Sequence, residues 1–150
     1  MNEIFSAAVK FFEETSKWDF VRDDLDGVLH TGHEGKNGEW KCYAKAREKQ
    51  KQFVFYSIAP VNVPENMTTA IALFLTRVNY GLILGNFEFD LSDGEIRFKT
   101  SIDVQGAELT TVLVKHVVLA NLKMMDKYLP SIESVIRGAS PEEAIANIER

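Results

Sequence analysis

The sequence predicts an α+β fold: an antiparallel sheet, made of a three-strand meander plus a hairpin, with helices packed on it in the order α-β-β-β-α-β-β-α-α. Three observations carry this reading. On both sides of Asp93-Gly94, apolar residues (Phe87, Phe89, Leu91; Ile96, Phe98, Thr100) alternate with charged ones, as in a hairpin with one buried face. Further alternating or apolar runs lie between Val28 and Ala59, separated by short turns. The strands come in consecutive groups and never alternate singly with helices, so βαβ units are excluded.

Taken in order, Asn2 to Lys17 reads as a helix, with Asn2 as its cap and Ile4, Phe5, Ala8, Val9 and Phe12 on one stripe. A short extended piece follows around Trp18 to Arg22. Asp23, Asp24, Asp26 and Gly27 turn the chain into a strand over Val28 to Glu34, and Gly35 to Gly38 turn it again. The next strand, Glu39 to Glu48, puts Trp40, Cys42, Ala44 and Ala46 on one side and Lys41, Tyr43, Lys45 and Arg47 on the other. Gln52 to Ala59 is apolar on both faces, with Phe53 and Phe55 backed by Val54, Tyr56 and Ile58, which marks a central strand or one covered on its second side.

Pro60 and Pro64 lead into a helix from Glu65 to Tyr80 that turns Ile71, Phe74, Leu75 and Val78 inward. In the hairpin, a two-residue Asp93-Gly94 loop sets Leu91 opposite Ile96, Phe89 opposite Phe98 and Glu88 opposite Lys99. Leu109 to Arg137 keeps a helical pattern that would reach about 43 Å as one rod. Pro130 is expected to kink or break it near Asp126 to Leu129, because proline removes a backbone donor and crowds the preceding turn. Ser140-Pro141-Glu142-Glu143 starts a last short helix, with serine as cap and proline at the first position.

At 150 residues the chain is expected to be one domain over 1–150. A net charge of −5 argues against nonspecific nucleic-acid binding, which depends on cations neutralising phosphates. The single cysteine, Cys42, excludes an internal disulfide. The N-terminus lacks the basic start and apolar core of a signal peptide, and no uncharged apolar run approaches the roughly 20 residues of a membrane span. A cytoplasmic protein is the expectation.

Catalytic and metal patterns are weak. His30 and His33 lie three apart on a strand, where side chains point to opposite faces, so they do not converge with Cys42 or His116 as ligands. Gly32, Gly35 and Gly38 are followed by a strand, whereas a phosphate cradle needs a helix N-terminus. Glu88 and Asp90 are matched to Arg97 and Lys99, and Cys42 reads as a small buried hydrophobe. No catalytic residue, metal or cofactor is assigned.

Apolar surface is what remains. On the long helix, Val112, Leu113, Val117, Ala120, Met124 and Tyr128 are read as serving the domain's own sheet. Val114, Val118, Leu122, Met125 and Leu129 then form a surplus that a single subunit does not need, the first four of them read as partner-binding. With Tyr43, Val54, Tyr56 and Ile58 on the second sheet face, those four make the candidate partner-binding residues. A competing reading gives the face of Tyr43, Lys41, Lys45, Arg47, Lys49 and Lys51 to a small ligand or nucleic acid.

Several segments together resemble the YbjN family of bacterial proteins: Arg77-Val78-Asn79-Tyr80-Gly81, Gly85-Asn86-Phe87-Glu88, Asp93-Gly94-Glu95-Ile96, Met125-Asp126-Lys127-Tyr128-Leu129-Pro130 and Ser140-Pro141-Glu142-Glu143-Ala144. The resemblance implies the fold of type III secretion chaperones, a cytoplasmic homodimer, and a place among sensory-transduction regulators, with no catalytic residues to carry over. The function expected is a noncatalytic protein-interaction module, chaperone-like or regulatory, holding a protein client or regulatory partner. The alternative is a ligand or nucleic-acid sensor on the Tyr43 and lysine face.

Overall fold

A six-stranded antiparallel sheet runs in the order β1-β2-β3-β4-β6-β5, with strands β1 (Phe20–Asp23), β2 (Val28–Glu34), β3 (Glu39–Arg47), β4 (Gln52–Asn62), β5 (Asn86–Phe89) and β6 (Glu95–Asp103). The computed structural model describes residues 2–15 and 18–149, apart from the side chain of Glu149. Four helices accompany the sheet: α1 (Glu3–Glu14), α2 (Thr68–Gly81, entered through a 3-10 turn at Glu65–Met67), α3 (Thr111–Ile136) and α4 (Pro141–Glu149). This is the α+β architecture of helices on an antiparallel sheet that the sequence predicts, with one strand more. The extended piece before the meander pairs with β2 as the edge strand β1. Ser16 and Lys17, the expected end of the first helix, lie outside the described residues.

The alternation of each strand decides what the sheet buries. Leu29, Trp40, Cys42, Ala44, Ala46, Phe53, Phe55, Phe87, Ile96 and Phe98 point to one side. There they join Ile4, Phe5, Ala8 and Phe12 of α1, Ile71, Phe74 and Leu75 of α2, and the inner stripe of α3 in one core. All four helices therefore share one face of the sheet. No helix among the described residues is long and apolar enough to cross a membrane.

The α3 stripe differs from the expected one. Val114, Val118 and Met125 are 0% exposed, Leu129 is 1% and Leu122 5% exposed, so the residues read as surplus are buried in the subunit's own core. Val112, assigned to the sheet, is exposed instead. The reason is Asn121, fully buried in the middle of this stripe, whose Nδ2 donates to the carbonyls of Phe55 (2.8 Å) and Phe98 (3.0 Å). Val114, Val117, Val118, Asn121, Leu122, Met125, Leu129 and Ile132 form one buried set at three- and four-residue spacing.

Pro130 lies inside α3, which runs unbroken through it. Proline leaves the carbonyl four residues back, that of Asp126, without its helical donor. Asn37, in the β2–β3 turn, supplies one: its Nδ2 donates to Asp126 O at 2.8 Å. The Asp126 carboxylate in return accepts from the amides of Lys36 (3.1 Å) and Asn37 (2.8 Å). A Cβ on Gly35 would stand 2.5 Å from Asp126 Oδ1, so the close approach of turn and helix requires glycine there.

The hairpin register is shifted by two residues from the expected one. Phe87 faces Phe98, Glu88 faces Arg97 and Phe89 faces Ile96. Because the shift is even, every side chain keeps its face. The cause is a longer loop. Asp90 Oδ1 accepts from the Ser92 amide (2.9 Å) and hydroxyl (2.6 Å), and the Asp90 amide donates to Glu95 O at 2.9 Å, which leaves Leu91 exposed in the turn. Gly94 sits at φ +82°, where a Cβ would strike Val63 O at 2.5 Å. The cap of α1 also comes from elsewhere than Asn2, which makes no side-chain cap bond. The Glu48 carboxylate accepts from the amides of Ile4 (3.0 Å) and Phe5 (2.7 Å), placing negative charge at the positive helix end.

Candidate functional site

With the helices on one side, the other side of the sheet has no layer over it among the described residues. Strand alternation sends Tyr43 of β3, Val54, Tyr56 and Ile58 of β4, and Arg97 and Lys99 of β6 to this outer face. The registers line up Val21, His30, Tyr43, Tyr56, Lys99 and Asn86 as one row across all six strands. The sequence-expected Tyr43, Val54, Tyr56 and Ile58 are thus brought together. Val54 is 8% exposed, being set between Lys45 and Ser101 in the register, so the reachable members of this set are Tyr43, Tyr56 and Ile58. The four α3 residues lie on the far side of the sheet, in the core, and contribute nothing to this surface.

A network holds the centre of the face. The rings of Tyr43 and Tyr56 stack, with centroids 4.6 Å apart and planes 27° apart. The Arg97 guanidinium lies 4.2 Å from the Tyr56 centroid, so Tyr56 is flanked by Tyr43 from β3 and Arg97 from β6. Arg97 also donates to Tyr43 Oη at 2.8 Å and, through Nε, to Glu88 Oε1 at 2.7 Å. Lys99 Nζ donates to the other Glu88 oxygen at 3.0 Å.

Tyr43, Tyr56, Arg97 and Glu88 are each held by at least two others of the network. Burial works to raise the Glu88 carboxyl, but the hydrogen bonds from Lys99 and Arg97 outweigh it and hold the group below the usual carboxylate range. Burial pushes the Tyr43 phenol up against the pull of Arg97, so it stays protonated at neutral pH. Arg97 and the half-buried tyrosines went unrecognised as a unit in the sequence, although the opposite charges of Glu88 and Arg97 on facing strands were the signal.

Other chemistry-bearing residues are dispersed. His30 approaches Tyr43 on the outer face, while His33 lies against Trp40 and Trp18 on the inner one. Among the described residues no group of three or more His, Cys, Asp or Glu side chains converges as a metal site would require. Cys42 is buried beside Ser57, and burial raises its thiol to about 11.

The family model described as "Putative bacterial sensory transduction regulator", YbjN, matches residues 10–134. The chain belongs to the YbjN family. No curated protein matches it significantly. Among solved structures it is similar to the YbjN protein of E. coli, described as a "putative transcription regulator", at 13% identity and a TM-score of 0.61, over 87% of both chains. It is also similar to a chain of the ExsC–ExsE complex (12% identity, TM-score 0.57, over 87% of this chain and 96% of that one). A chain of the HopA1–SchA chaperone–effector complex matches at 12% identity and a TM-score of 0.52, over 85% and 95% respectively. At such identities the likeness is one of fold.

The residues that carry the YbjN resemblance are committed to that fold. Asn79 of α2 accepts from the Phe87 amide (2.8 Å) and donates to the Phe87 carbonyl (3.0 Å), occupying the open edge of β5. Arg77 pairs with Glu142 at 3.1 Å, joining α2 to α4. Tyr128 meets Phe87 edge to face at 5.7 Å, and Ser140 caps α4 by accepting from the Glu143 amide at 3.1 Å. The YbjN segments assemble the scaffold, and the outer-face network lies mostly outside them.

Proposed function

We propose that this YbjN-family chain is a noncatalytic protein-interaction module with a regulatory or chaperone-like role, acting as one unit over 1–150 in the cytoplasm. Its partner docks on the outer sheet face through Tyr43, Tyr56 and Ile58. The observation that carries this is the one-sided placement of the helices opposite an ordered Tyr43–Tyr56–Arg97–Glu88 network. A sheet face that is pre-ordered and half-buried loses little side-chain entropy when something covers it. The likeness to a chain solved in a chaperone–effector complex supports the same reading.

The homodimer expected from the family resemblance finds no surface in the buried stripe of α3, which is used up inside the subunit. Tyr80 in the last turn of α2 and Ile83 just beyond it, 95% and 93% exposed beside the exposed Leu84, offer an apolar corner for pairing two copies.

Quantitative capture with the wild type and an Ile58→Asp variant, each verified as folded by circular dichroism, tests the docking face. The expected result is one or more partners held by the wild type and lost by the variant. Identical partner sets would overturn it. Light scattering of the wild type and Ile83→Asp tests pairing, and a wild type that stays monomeric at micromolar concentration would remove the dimer.

A further inference from the structure

The chain is acidic overall, at −5, yet the centre of its outer face is positive. The registers place Lys45 opposite Val54, Lys41 and Arg97 on either side of Ile58, and Lys99 opposite Tyr56. The carboxylates of this face lie mostly at strand ends: Asp23 closes β1, Glu34 closes β2, Glu39 opens β3, Glu95 opens β6 and Asp103 closes it. Only Glu88 reaches the centre, and it is shared between Arg97 and Lys99. Among the described residues, no ion pair takes up Lys41 or Lys45, and both are exposed. Two unneutralised cations on β3 thus bracket Tyr43, beside an apolar ledge.

We infer that the segment docking on this face is acidic and carries apolar side chains. Its aliphatic or aromatic groups cover Ile58 and the Tyr43–Tyr56 pair, while its carboxylates meet Lys41 and Lys45. This assignment rests on the docking face proposed above and adds the chemistry of the partner.

Two other occupants fit less well. A second copy laid face to face brings a positive centre against a positive centre, and like charges across an interface are costly. Nucleic acid has the right charge for the lysines, but single-strand binding relies on bases stacking on open aromatic faces. Tyr56 is already flanked by Tyr43 and Arg97, and the Tyr43 hydroxyl is held by Arg97. The acidic balance of the chain further opposes a phosphate backbone.

The test is a selection of random peptides displayed on phage against the full-length protein. Affinities of the enriched peptides are then measured by fluorescence anisotropy for the wild type, Lys41→Glu/Lys45→Glu and Ile58→Asp, with oligouridylate as a parallel probe. The expected enriched peptides carry Asp or Glu next to Leu, Ile, Phe or Trp. They weaken by about tenfold or more on the lysine double variant and again as salt is raised.

Neutral or basic peptides that are lost on Ile58→Asp would overturn the acidic assignment and leave the docking face standing. Peptides indifferent to Ile58→Asp, or no enrichment at all, would overturn both. Oligouridylate binding that depends on Lys41 and Lys45 would replace the acidic segment with nucleic acid.

Discussion

Asn37 donates two hydrogen bonds to Asp126 across the junction of the β2–β3 turn and α3, and one of them repairs damage done by a third residue. The Asn37 side chain, at 2.8 Å, donates to the Asp126 carbonyl that Pro130 leaves without a helical partner. A long helix crossing a proline without a break thereby depends on a turn far away in sequence. Asn37→Ala is expected to cost about 1–2 kcal/mol in urea unfolding. In a Pro130→Ala background, where the amide returns, the same change should cost about 1 kcal/mol less. Equal costs in both backgrounds would mean that Asn37 and Pro130 are not coupled.

Asn79 plays a comparable part at the sheet edge. Its carboxamide satisfies both backbone groups of Phe87 that point away from β6, so β5 does not offer them to another chain. Asn79→Ala is expected to lower stability by about 1–2 kcal/mol and to raise concentration-dependent association, read by light scattering. Unchanged association would show that the edge is protected by other means.

Glu88 links the outer face to pH. Its carboxyl is held below the ordinary range in the folded chain, so the stability it contributes is present above the unfolded carboxylate value. That stability is lost as pH falls through the folded one. The stability difference between the wild type and Glu88→Gln should therefore be largest near neutrality and shrink below about pH 4. A difference that does not vary with pH would detach the Glu88–Arg97–Lys99 cluster from folding.

Cys42 has the opposite sign. Burial raises its thiol to about 11, so its contribution is intact at neutral pH and is lost as pH rises from the unfolded value toward the folded one. Native protein at pH 8 should resist thiol reagents and react fully in denaturant. Rapid labelling of the native chain would place Cys42 in contact with solvent.

What was legible in the sequence follows the range of the forces involved. Strand faces were readable because alternation is local: Trp40, Cys42, Ala44 and Ala46 fall on the buried side, as their pattern says. The outer-face set of Tyr43, Tyr56 and Ile58 came from the same alternation. The α3 surface did not, because apolar residues occupy more than one stripe of that helix and a polar one, Asn121, sits at the centre of the buried stripe. Its role as donor to two strand carbonyls depends on contacts far apart in sequence. The Glu48 cap on α1 and the Asn37 repair of Pro130 were hidden for the same reason. The hairpin loop misled differently: Asp93-Gly94 signals a two-residue turn, and the Asp90–Ser92 side-chain bonds favour a longer one.

The central claim is that partners meet the outer sheet face and not the helical layer. Photocrosslinking in cells from a benzoylphenylalanine at position 58, set beside the same probe at Leu119 on the exposed side of α3, tests it most directly. The expected result is an adduct to a second protein from position 58 and none from position 119. An adduct from position 119 alone would place the binding surface on the helices and contradict the account.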